Sequence, residues 1–209
     1  LAQELARREQ QGQLPERKLD GSIVDAVTAD AVRFVVRGQY DPAQQFFIDN
    51  RQHNGRPGVH VITPLKIENT QTWVLVNRGW TGWAQAGRQQ LPEAPVPTGV
   101  VQVTGLAAVP STKKFFLMPD RPEASPRLLE RLEPQRFAAQ VKQPVQPVVL
   151  LQDAANAQDG LVRDWPPPEN RVPKHESYAW QWFGMALALL CFYGYASFRR
   201  APVQAKSSL

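Results

Sequence analysis

From Ala31 onward the chain alternates apolar and polar positions. Val32, Phe34 and Val36 are separated by Arg33 and Arg37, a period of two that predicts a half-buried strand ending at Gly38. Gln44 to Ile48 predicts a second short strand, and Asn54-Gly55-Arg56-Pro57-Gly58 after it has the residues of a turn. Val59 to Ile67 and Thr72 to Trp80 form an expected hairpin around Asn69 and Thr70. In its second arm Trp73, Val74, Leu75 and Val76 are apolar on both faces, so that strand is expected to be central and covered on both sides. Past a proline-rich connector, Pro92 to Pro97, strands are predicted at Val100 to Leu106, Phe115 to Met118 and Val145 to Leu151. Pro126 to Val141 is the one helix predicted in this region, with Leu128, Leu132 and Phe137 broadly on one side. Together these elements predict a β-rich α+β domain over residues 23–165: an antiparallel sheet, a small barrel being one way to close it, with one helical insertion.

The C-terminal pattern is different. From Ser177 to Phe198 there is no Asp, Glu, Lys, Arg or His, and Leu, Ala and Met lie between aromatic ends. The stretch 178–198 would reach about 32 Å as a helix, close to the ~30 Å of a bilayer's hydrocarbon core, which predicts a transmembrane helix. Tyr178, Trp180 and Trp182 at one end and Tyr193, Tyr195 and Phe198 at the other fit an aromatic belt. A stiff proline-rich linker, 166–177, is expected ahead of it, bracketed by Trp165-Pro166-Pro167-Pro168 and Pro173. The tail 199–209 has Arg199, Arg200 and Lys206 and no acid, which favours the cytoplasmic side and leaves the β domain outside. Residues 1–22 read as a polar lead-in. Since Leu1 is preceded by neither Met nor a secretory pattern, an export signal or a first transmembrane helix is expected upstream.

Charge narrows the possibilities. Of 24 basic residues three belong to the tail, leaving 21 against 19 acidic ones, so the β domain has no electrostatic footprint for nucleic acid. The one cysteine, Cys191, falls in the apolar stretch and rules out a disulfide scaffold. There is no phosphate loop, paired-cysteine metal site, His-Glu-x-x-His helix or Gly-x-Ser-x-Gly elbow. His53, His60 and His175 are far apart in sequence, and a hydrolase built on His53 or His60 has no nucleophile or metal partner in view.

Two constellations carry candidate chemistry. In Asn77-Arg78-Gly79-Trp80 the arginine has the fork to hold a carboxylate and the indole a face on which a flat ligand or partner can stack; the plainer reading is an arginine satisfying carbonyls at a strand end. Ahead of the apolar stretch stand Arg171, Lys174 and His175. If the helix starts about a turn early, His175 shares a face with Tyr178 and Trp182. An imidazole at a membrane surface beside aromatics and two cations suits haem, with iron on His175 and propionates toward Arg171 and Lys174; an interfacial histidine beside snorkelling basic residues is the alternative. Gly184 and Ala188, four apart, would let another helix approach closely.

The strand Arg33 to Tyr40, Asp49-Asn50-Arg51, Gly58 to Leu65, Val74 to Trp80, and His175 followed by Tyr178-Ala179 and Gln181-Trp182-Phe183 together resemble the Surfeit locus protein 1 family of cytochrome oxidase assembly factors. The resemblance covers nearly all of the chain after Ser22. It implies two membrane helices flanking a β domain in the periplasm of a bacterium, anchored in its inner membrane, or on the intermembrane-space side of the mitochondrial inner membrane. It further implies a non-enzymatic protein that aids maturation of haem-copper oxidase subunit I by binding haem a or helping to insert it, with His175 as a haem ligand. A scaffold that binds assembly intermediates without haem is the other expectation. The first helix of that family is not in this chain, and the basic segment that follows it is hard to match here, Arg7, Arg8 and Lys18 being the candidates for its remnants.

Overall fold

Alternation becomes structure at β2, Arg33–Tyr40, where Phe34, Val36, Gly38 and Tyr40 are buried and the residues between them are not. The computed structural model describes residues 15–83, 87, 90–110, 127–154, 159–165 and 172–199. The remaining strands are β1 (Arg17–Lys18), β3 (Phe46–His53), β4 (Arg56–Ile67), β5 (Trp73–Gly82), β6 (Val100–Ala108), β7 (Leu128–Leu129) and β8 (Val145–Gln152). Helices are α1 (Ala26–Ala29), α2 (Pro134–Val141) and α3 (Val172–Arg199), with a 3-10 turn at Pro42–Gln44. The described residues fall into two units, one holding every strand and the other holding α3.

The strands make one eight-stranded sheet in the order β1-β2-β6-β8-β5-β4-β3-β7. The β3–β4 hairpin turns on Asn54 and Gly55, both at positive φ as a tight two-residue turn requires. The β4–β5 hairpin turns near Asn69, also at positive φ. As the apolar run predicts, β5 is internal and covered on both faces: Val74 and Val76 pack with Phe34, Leu65 and Leu150, while Leu75 packs with Ile48, Ile62 and Phe137. Helix α2 supplies that second cover, Phe137 meeting Trp73 edge to face at 6.2 Å.

Several expectations are corrected. The sheet is mixed, because β1–β2, β3–β7 and β5–β8 run parallel. It keeps two edges and is not a closed barrel; β2 meets β4 over three residues, Gly38–Tyr40 against Leu65–Ile67, before turning away at Pro42. Even that approach needs glycine, since a Cβ on Gly38 would stand 2.2 Å from the Lys66 carbonyl oxygen. The helix expected over 126–141 begins only at Pro134, a residue suited to a first helical position and unsuited to an interior one. Leu128 belongs instead to β7, paired with Phe47. The strand predicted at Phe115 to Met118 lies outside the described residues.

Helix α3 takes in the stretch expected to span a membrane and starts earlier, at Val172, with Pro173 in its first turn. No helix among the described residues is long and apolar enough to cross a membrane. Gln181, Ser197 and the polar-tipped Trp and Tyr residues at its two ends confine the purely apolar stretch to Phe183 to Phe192.

Candidate functional site

The motif at the end of β5 is built by a bulge. Val61 pairs with Gly79 and Ile62 with Asn77, so Arg78 is an extra residue with no partner across the ladder. The extra residue resets the alternation and sends Arg78 and Trp80 into different surroundings. Arg78 is 1% exposed. Its Nη2 donates to the Pro95 carbonyl and to Asp159 Oδ2, each at 2.7 Å, and its Nη1 donates to Gln45 Oε1 at 3.3 Å. Its guanidinium lies 5.6 Å from the Tyr40 ring centre. Gln45 is held in turn, accepting from Thr63 Oγ1 and donating to the Ala94 carbonyl.

Asp159 also accepts from Arg163 Nη2 at 2.7 Å, so one carboxylate serves two buried guanidinium groups. Burial opposes its charge, but the hydrogen bond and charge of Arg163, the Leu161 N–H and the charge of Arg78 outweigh burial and hold its pKa below the ordinary value. Burial pushes the Tyr40 phenol well above its usual range, against the nearby arginine charges. Of the two roles weighed for Arg78, the geometry builds the structural one: the fork ties β5 to the 94–95 segment and to the Asp159 turn. A cavity of about 430 Å³ adjoins it, walled by Tyr40, Val96, Val101 and Val103.

Trp80 faces a second space, a cleft of about 460 Å³. Here β4 is flanked by two bulges, the one at Arg78 and another in β3, where Asp49 and Asn50 are spanned by one residue of β4 and Asn50 has positive φ. His60 lies between them, directly opposite Trp80. Gly79 N–H donates to Asn77 Oδ1, which leaves the Asn77 amide to donate to His60 Nδ1 at 3.1 Å. The imidazole proton is therefore on Nε2. Burial, assisted by the charge of Arg51, pushes the His60 pKa down to about 4, so the ring is neutral at ordinary pH. Trp165 stands edge-on to His60 at 5.6 Å, and His53 lies 5.2 Å from Trp80.

Gly79 makes the back wall possible. At φ 145° it leaves room for the bridge between Trp80 and Val162, where a Cβ would stand 2.8 Å from Leu161 Cβ and 2.9 Å from the Val162 oxygen. Gln45, Asp159, Arg163 and Trp165 were not singled out by sequence, although Asp159 and Arg163 stand four apart and the glycine after Arg78 marks a close approach. Among the described residues no cluster of three His, Cys, Asp or Glu could hold a metal ion.

The other predicted constellation falls on α3. The helix begins before His175, so His175, Tyr178 and Trp182 occupy positions i, i+3 and i+7 of one continuous helix, as the shared face requires. Lys174 is on the same helix, and Arg171 lies outside the described residues, as do the side chains of Lys174, His175 and Tyr178. Trp182 is exposed, as are Gly184 and Ala188.

Two comparisons bear on identity. A family model described as the SURF1 family matches residues 1–187. No curated protein matches the chain.

Proposed function

Because the chain belongs to the SURF1 family, which is associated with cytochrome oxidase assembly, we propose that it is a non-enzymatic, membrane-associated assembly factor that binds haem a, or helps to insert it, while subunit I of a haem-copper oxidase matures. The family match over residues 1–187 carries this reading. It is supported by α3, a 28-residue helix on which Trp182, Phe183, Leu187, Leu190 and Phe192 are exposed, more apolar surface than a helix in water sustains. The reading puts α3 in or at the bilayer. The β unit then lies on the periplasmic face of a bacterial inner membrane, or on the intermembrane-space face of the mitochondrial one, opposite Arg199, Arg200 and Lys206.

The donor set suits such a cargo: an imidazole at His175 for iron, rings at Tyr178 and Trp182 for the macrocycle, and Arg171 and Lys174 for the propionates. Placement at the membrane surface would leave the apolar tail of haem a in lipid. Gly184 and Ala188 offer subunit I a place for close helix contact. The experiment is to purify wild type and His175→Ala from haem a-producing cells and to compare the Soret band, haem stoichiometry and retained subunit I. The variant is expected to lose haem and keep subunit I. Equal haem content and an unchanged spectrum would remove His175 as ligand; wild type that retains subunit I without haem would leave a scaffold in place of a haem carrier.

A further inference from the structure

We infer that the cleft between the two bulges of the β unit binds a flat aromatic or conjugated group bearing a single carboxylate. This stands on the β unit alone and is independent of the haem reading at α3. The cleft's volume of about 460 Å³ is in the range of small-molecule sites and accommodates a two-ring system. Two indoles, Trp80 and Trp165, line it. Trp80 Nε1 already donates to the Arg51 carbonyl at 3.2 Å and Trp165 Nε1 to the Gln152 carbonyl at 2.8 Å, so neither indole seeks a hydrogen bond from a ligand.

Two donors remain. His60 has its proton on Nε2, fixed there by the Gly79–Asn77–His60 chain, and among the described residues Nε2 has no partner. Arg51 is half-buried in the same wall, and its Nε is buried with no hydrogen-bond partner. Burial disfavours the Arg51 charge, with Asp49 only partly offsetting it, so a ligand carboxylate beside the half-buried guanidinium would offset the rest. Asp164 lies at the exposed rim. Its charge works against a second anionic group and so selects a single carboxylate. Bulges re-aim side chains beside binding sites, and here two of them converge on His60 from both sides of β4.

The test is calorimetric titration of the full chain with 2-naphthoate and with its neutral counterpart 2-naphthylmethanol, alongside NMR of the tryptophan indole N–H signals. Naphthoate should bind more tightly than the alcohol and shift the Trp80 and Trp165 signals. Arg51→Gln should weaken naphthoate about tenfold, the loss of one charged hydrogen bond, and leave the alcohol unchanged. Asp164→Asn, an exposed change that folding tolerates, should tighten naphthoate about two- to threefold by removing a like charge. Equal binding of acid and alcohol, shifts confined to other tryptophans, or no gain in Asp164→Asn would each overturn the assignment.

Discussion

Arg78, the bulged residue of β5, and His60, beside it on β4, respond to different perturbations. Removing the Arg78 fork leaves the Pro95 carbonyl without its donor, Gln45 Oε1 with Thr63 Oγ1 alone and Asp159 with only one of its two guanidinium partners. Arg78→Ala is therefore expected to cost on the order of 3 kcal/mol in urea unfolding, through folding and not through ligand contact. A variant of wild-type stability that lost binding would reverse that assignment. His60 governs pH. Its pKa is about 4 folded against 6.5 unfolded, so between those values the unfolded chain takes up the extra proton and stability falls as pH falls; above about 6.5 the contribution is fully present. The loss should reach on the order of 1 to 3 kcal/mol by pH 4. Urea melts at pH 7 and 5 should show wild type weakening more than His60→Gln, and equal weakening would mean that His60 titrates normally.

Among the elements, β5 shows how far the chain could be read and where reading stopped. Its central place follows from Trp73 to Val76, since only a strand covered on both faces can use four apolar residues in a row. The bulge at Arg78 has no such signature, because the extra residue is defined by the register of β4. The same limit applies to β7: Leu128 has the spacing of a helical face with Leu132, yet it pairs with Phe47, and Pro134 alone marked the true helix start. Parallel pairing of β5 with β8 was hidden for a related reason, as strand direction depends on connections that the alternation does not record. Gly79 was legible as a residue and illegible as a cause. Gly79→Ala is expected to cost about 2 to 4 kcal/mol, combining a positive φ with contacts below 3 Å to Leu161 and Val162. Hydrogen exchange should then show lost protection at the Trp80 and Val162 amides, which exchange backbone hydrogen bonds of 2.7 and 2.8 Å. Retained protection would mean that the 161–163 segment stays docked without the glycine.

Over the whole molecule, family membership was legible because separated short motifs occur together in one order, and the candidate site was legible only in its β5 half. Asp159, Arg163 and Trp165 come from a segment that reads as the approach to a linker, and nothing local ties it to β5 some 80 residues earlier. The strand order has a consequence for how such a chain comes into being. Strand β8, the last to be synthesised among the described strands, sits between β5 and β6 in the middle of the sheet. The β3–β4–β5 hairpins can form as soon as they emerge, but β5 and β6 keep unpaired edges until residues 145–152 arrive. During that interval an apolar strand presents an open ladder to any other extended chain, the condition under which nascent β proteins aggregate. The domain therefore completes its fold late, with β8 entering the sheet and residues 159–165 then docking on β5, and its biogenesis is most exposed to misassembly just before β8 arrives.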